Sequence, residues 1–147
     1  MGLNIAELHQ KAEAGNCVSQ GILGACYLYG YEIDRDYDQA FRWLSAAAAQ
    51  GASRAVLNLA YMYAQGLGTT QNGPEAVRLL TAVAKPDESS DALIARIELA
   101  RIYSRGQGIS LDADEARKWY SAAIALTKED EDSEELSEAR AYIAQAK

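Results

Sequence analysis

Six positions of this chain recur in one register, at steps of 36 and then 40 residues. Gly30, Gly66 and Gly106 obey it, as do Tyr27, Tyr63 and Tyr103. Leu23, Leu59 and Leu99 follow the same steps, and so do Ala40, Ala76 and Ala116, and Ala46, Ala82 and Ala122. The sixth position holds Trp43, Leu79 and Trp119. A period of 20–50 residues marks an array of stacked supersecondary units, and it constrains the fold more than any local propensity. The four additional residues of the second step fall in the polar stretch Lys85-Pro86-Asp87-Glu88-Ser89-Ser90, where a surface loop tolerates insertion.

Each repeat reads as two helices. In repeat two, Ala55, Leu59 and Tyr63 form one apolar stripe, which predicts a helix over 52–65. Gly66 supplies the left-handed residue that ends such a helix, and Gly68 lets the chain turn. Asn72, Gly73 and Pro74 then open a second helix over 74–84, with Ala76, Leu79, Leu80 and Val83 inward. In repeat three Asp112 and Glu115 have capping-box spacing. Residues 4–14 resemble a lone second helix closed by Gly15, which stands 36 residues before Gly51. Residues 133–146 predict a further helix with Leu136, Tyr142 and Ile143 available for packing. Abundant alanine favours helix, and no stretch alternates as a strand would.

A single helix pair cannot cover its own apolar face, so the pairs must stack. The expected fold is all-α: a right-handed α/α superhelix (solenoid) of about three helix-turn-helix repeats, flanked by an N-terminal helix and a C-terminal capping helix. One domain spans 1–147, with repeats at about 16–51, 52–88 and 89–127. Such stacks present a concave surface suited to holding a partner.

The pattern resembles the Sel-one-like repeat family, a relative of the tetratricopeptide repeats. Repeat one carries Ala14, Gly15, Leu23, Gly24, Tyr27, Gly30, Ala40, Trp43, Ala46 and Ala47. Repeat two carries Gly51, Ala55, Leu59, Ala60, Tyr63, Gly66, Gly68, Ala76, Leu79 and Ala82. Repeat three carries Ala95, Leu99, Ala100, Tyr103, Gly106, Gly108, Ala116, Trp119, Ala122 and Ala123. The resemblance covers about residues 4–127. Glu32 stands where the second loop glycine belongs, so a different turn is expected in repeat one. Ser19 replaces a helix alanine, Ala60 and Ala100 replace glycine, and Leu79 replaces the tryptophan. The resemblance implies a non-catalytic protein-protein interaction module, an adaptor or scaffold. Small bacterial members also act in envelope signalling, in host contact and as immunity proteins that neutralise a specific toxin.

Tetratricopeptide-like geometry would build the concave wall from first-helix positions outside the motif. These are Val18, Gly21, Ala25 and Tyr29; then Arg54, Leu57, Tyr61 and Gln65; then Ile94, Ile97, Arg101 and Arg105. The partner-binding set is expected to be Tyr29, Arg54, Leu57, Tyr61, Gln65, Ile94, Ile97, Arg101 and Arg105. Arginine and tyrosine are favoured anchors, and the three arginines suggest an acidic segment of a partner protein. The competing reading is a solvated face, with the arginines paired to Glu98.

The net charge of −7 is concentrated between Lys128 and Glu138, which hold seven carboxylates; the remainder has 14 acids against 13 bases. That segment suits either a hook for a basic partner or a solvated loop and helix start. The balance argues against nucleic acid and against anionic membranes as partners. No apolar stretch is long enough for membrane insertion, and no signal peptide is visible. The cytoplasm is the expected location, or the periplasm if a signal has been removed. Cys17 and Cys26 on one helix would lie too far apart to bridge.

No catalytic, metal or cofactor site is implied. His9 is the only histidine, and with Cys17 and Cys26 it gives no ligand spacing. Asp34, Asp36 and Asp38 alternate as at the start of a calcium loop, but the glycine and closing glutamate are missing. Paired carboxylates such as Asp34 and Asp36 would need a pocket to shift their pKa values before they could act as a hydrolase. The oligomeric state is left open.

Overall fold

A computed structural model describes residues 2–85, 89–127 and 133–145. All regular structure among the described residues is helical: α1 (Ile5–Glu13), α2 (Cys17–Tyr29), α3 (Tyr37–Ala49), α4 (Ser53–Gln65), α5 (Gly73–Val83), α6 (Ser90–Arg105), α7 (Ala113–Ile124) and α8 (Glu134–Gln145). The caps follow from local chemistry. Asn4, Asn16, Asp36, Ser89 and Asp112 each accept a backbone N–H of the first turn that they precede. Each such cap contributes on the order of 1 kcal/mol. Asp112 takes the N–H groups of both Asp114 and Glu115, while the Glu115 carboxylate pairs with Lys118.

The first helices of all three repeats stop the same way. Gly30, Gly66 and Gly106 adopt φ of 73°, 69° and 64° and donate to the carbonyls of Cys26, Met62 and Ile102. Two residues on, Gly68 and Gly108 repeat the left-handed conformation at φ 66° and 71°, and Glu32 adopts it at 60°. The different turn expected in repeat one is therefore not found. The turn requires that backbone geometry, and Glu32 meets it against a steric cost of about 1–2 kcal/mol.

The chain divides into two compact units, Met1–Asn72 and Gly73–Lys147. In the N-terminal unit α2 packs on α1 and α3, and α4 packs on α3 and α2. Ala12, Leu23 and Trp43 form a buried cluster with Leu8 and Tyr27 against it. Gly24 lies so close under Leu44 that a Cβ there would stand 2.6 Å from Leu44 Cγ. Gly68 is seated on the Tyr37 carbonyl, where a Cβ would collide with the oxygen.

In the C-terminal unit α5, α6, α7 and α8 pack successively. Ile97, Ala100, Tyr120, Ala123 and Ala139 are buried together, with Leu93, Trp119, Ile124, Tyr142 and Ile143 packed around them. Arg96 ties the helix ends by donating to Ala84 O at 3.3 Å and Ala122 O at 2.6 Å. Leu44, Leu80 and Tyr120 share one repeat position and are all buried, so this column is core throughout.

Candidate interaction surface

The N-terminal unit exposes a stripe that a solvated helix would not. α2, Cys-Val-Ser-Gln-Gly-Ile-Leu-Gly-Ala-Cys-Tyr-Leu-Tyr, has no charged residue in its 13 positions. Its Leu23, Cys26 and Leu28 are buried, while Val18 remains 68% exposed and Ile22 and Tyr29 are also exposed. Positions 18, 22, 25 and 29 lie on one face at helical spacing. Tyr29 reaches α4 by donating its hydroxyl to Asn58 Oδ1 at 3.0 Å, and its ring lies 5.7 Å from that of Tyr31. Tyr31 and Tyr61 add two further exposed rings within this unit. A groove lined by Leu3, Leu8 and Ile22, and by the ion-paired Glu7 and Lys11, runs between α1 and α2.

The same first-helix face in the C-terminal unit is built differently. Arg101 donates to Glu98 Oε1 at 2.6 Å and makes paired bonds to Glu138, with Nη2–Oε2 at 2.6 Å. Tyr120 donates its hydroxyl to Glu138 Oε1 at 2.7 Å, and Arg105 stands 3.6 Å from the same oxygen. Glu138 thus joins α8 to α6 and α7. The hydrogen bond from Arg101, outweighing burial and helped by Tyr120, holds its carboxyl below the usual carboxylate range. Burial first, then the bond to Glu138, pushes the Tyr120 phenol up to about 12. The Arg101 guanidinium is held more firmly protonated, chiefly by Glu138.

These contacts sort the expected site residues. Tyr29, Arg54, Tyr61, Gln65 and Arg105 are exposed, and Ile94 is half-buried. Leu57 and Ile97 are not wall residues. Leu57 is 8% and Ile97 1% exposed, and Ile97 packs in the α6–α7–α8 core. They occupy one repeat position, and both side chains are buried. Arg101 is not available to an acidic partner segment either, because Glu98 and Glu138 of the same chain already hold it. Pairing with Glu98 was legible from i,i+3 spacing; the 37-residue reach to Glu138 was not. Of the acidic run, residues 128–132 lie outside the described residues, and Glu138 is a structural clamp instead of a free charge.

The other candidates have local roles. Asp36 caps α3, accepting from Gln39 N at 3.0 Å. His9 Nε2 shares a hydrogen bond with the Tyr27 hydroxyl at 2.9 Å and meets the Trp43 ring edge-on. Cys17 and Cys26 are unbridged, and burial followed by the charge of Glu32 raises the Cys26 thiol, which disfavours a nucleophilic thiolate. Among the described residues no group of three or more His, Cys, Asp or Glu is placed to hold a metal ion, and no helix is long and apolar enough to cross a membrane.

The family model for the Sel1 repeat matches residues 18–51, 53–84 and 93–127. Protein sel-1 homolog 2 of Rattus norvegicus is 34% identical over 98 residues, 65% of this chain and 14% of that protein. The Sel1-repeat-containing protein YjcO of Escherichia coli K12 is 31% identical over 125 residues, covering 80% of this chain and 55% of the relative. The chain thus spans only part of the length of these relatives. Among solved structures, c5321, a protective antigen of uropathogenic Escherichia coli displaying an SLR fold, aligns with a TM-score of 0.69 and 28% identity over 84% of this chain and 26% of its own. A Sel1 repeat protein from Oxalobacter formigenes aligns with a TM-score of 0.65 and 25% identity, over 89% of this chain and 47% of that one. The α/α repeat solenoid class is the fold these neighbours share with it.

Proposed function

The chain belongs to the Sel1 repeat family, and from that premise we propose that it is a protein-binding adaptor whose principal contact surface is the uncharged stripe of α2 with its neighbouring tyrosines. Sel1 repeat proteins are in general interaction scaffolds without catalysis. The observation that carries the choice of surface is the exposure of Val18, Ile22 and Tyr29 on a helix with no charge to keep it solvated. Exposed apolar patches of this kind mark interaction sites, and tyrosine supplies contact area at low entropic cost. Tyr29, Tyr61 and Gln65 are retained from the expected set as contact residues. The arginine-centred grip on an acidic segment is replaced by an apolar and aromatic contact, because Arg101 and Arg105 serve the C-terminal unit.

The test is comparative affinity capture from the native host with wild type and a Val18→Glu, Ile22→Glu double variant. Proteins retained by the wild type should be depleted at least about tenfold on the variant, equivalent to about 1.4 kcal/mol, with an unchanged helical spectrum. An identical set at equal yield on both baits overturns the assignment.

A further inference from the structure

The repeat register makes the two units comparable residue by residue. Tyr37 and Phe41 of α3 correspond to Gly73 and Val77 of α5, 36 residues on. Tyr63, Thr69, Gln71 and Asn72 correspond to Tyr103, Ile109, Leu111 and Asp112, 40 residues on. The backbones of the same two repeat positions meet in both, with the carbonyl supplied by opposite members of the pair. Gly68 is seated against the Tyr37 carbonyl in the N-terminal unit, and Gly73 against the Gly108 carbonyl in the C-terminal unit.

The side chains above that contact differ. In the N-terminal unit the Phe41 ring meets Tyr63 edge-on, with centroids 5.5 Å apart at 83°. Gln71 is held by its hydrogen bond to Ala64 O at 2.8 Å. In the C-terminal unit Val77 is too small to reach as Phe41 does. A cavity of about 460 Å³ is left, lined by Pro74, Val77, Tyr103, Ile109, Leu111 and Asp112 among others. Leu111, in place of the tethered glutamine, forms an apolar lip that is 64% exposed. The rim is acidic by a single excess carboxylate: Asp112 lines it and caps α7, while Asp114 and Glu115 beside it pair with Arg117 and Lys118. The Tyr103 phenol registers this setting, raised by burial and then by the charges of Glu115 and Asp112.

We infer that this cavity binds an aromatic side chain carried by a basic segment of a partner protein. The chain itself shows the occupied form, with the Phe41 ring on Tyr63, and a partner ring entering beside Tyr103 would restore that edge-to-face pair. The excess carboxylate at the rim favours flanking lysine or arginine and disfavours acidic neighbours. The inference rests on the reading of the chain as a protein-binding module but uses a surface separate from the α2 stripe.

The experiment is a titration of methyl-labelled protein with three peptides: acetyl-Lys-Phe-Lys-amide, acetyl-Lys-Ala-Lys-amide and acetyl-Glu-Phe-Glu-amide. The lysine-phenylalanine peptide should shift the methyl signals of Val77, Ile109 and Leu111 at millimolar concentration. The alanine peptide should leave them in place, and the glutamate peptide should bind at least about threefold more weakly. Val77→Phe should abolish the response and raise Tm, since it supplies the ring internally. Leu111→Gln serves as a second variant if Val77→Phe does not fold, and should weaken the response. Unmoved methyls, equal response to the alanine peptide, equal binding of the glutamate peptide, or full binding by whichever variant folds overturns the inference. The Val18→Glu, Ile22→Glu variant should titrate as wild type, so failure at the cavity and failure at the stripe are read separately.

Discussion

The two halves of this chain use one repeat pattern to opposite ends. In the N-terminal unit the outward face of α2 carries Val18, Ile22 and Tyr29 and no charge, and it stays open. In the C-terminal unit Arg101 of α6 is clasped by Glu98 and Glu138, and α8 covers Ile97. The repeat positions that match Arg101 are Ala25 and Tyr61. A stacked-helix frame therefore dictates which positions are core, while the residues at the remaining positions decide whether a face is sealed or offered.

The sharpest way to break this contrast is to place a carboxylate on each side of it. Ile97→Asp buries an unpaired charge beside Tyr120 and Ala139 and should cost about 4 kcal/mol, seen as a lower denaturant midpoint. Val18→Asp, on the open stripe, should stay within about 0.5 kcal/mol of wild type. Comparable losses from both would mean that the stripe is not a free surface.

Next in size is the clamp. Glu138→Gln removes the charge that Arg101 and Tyr120 hold and should cost about 2 kcal/mol, with faster amide exchange in α8 and none in α2. The pH dependence follows from the same group. Glu138 is lowered in the folded state, so its stabilisation is present above the unfolded carboxylate value and is lost as pH falls through the folded one. Tyr120 is raised to about 12, so its contribution is present below the ordinary phenol value near 10 and is lost as pH rises from there toward 12. Urea midpoints between pH 3 and 7 should therefore fall on the acid side for wild type and be flatter for Glu138→Gln.

The smallest effect concerns a turn that both units share. Glu32→Gly should stabilise the N-terminal unit by up to about 1 kcal/mol, because a glycine adopts φ near 60° without a Cβ penalty. A drop in Tm would show that the Glu32 side chain has a compensating contact.

The helices were legible because their signals are local. The periodic alanines and leucines and the glycines at 30, 66 and 106 place α2 to α7 nearly as found. The face assignment was less legible. Leu57 and Ile97 share the helical face of the wall positions, and only packing shows that this part of it turns inward. Glu138 reads as one carboxylate in an acidic run, since its partner Arg101 is 37 residues away and no local spacing joins them. Val77 carries no local signal, because its significance lies in the contrast with Phe41, whose ring meets Tyr63.

The central claim is that the α2 stripe is where a partner protein sits. A photo-crosslinking side chain placed at position 22 and, separately, at the exposed position 141 of α8 in the full chain, irradiated in native-host extract, is the decisive measurement. A discrete adduct is expected from position 22 that disappears with Val18→Glu, and none of that mass from position 141. A discrete adduct from position 141 with nothing from position 22 would contradict it.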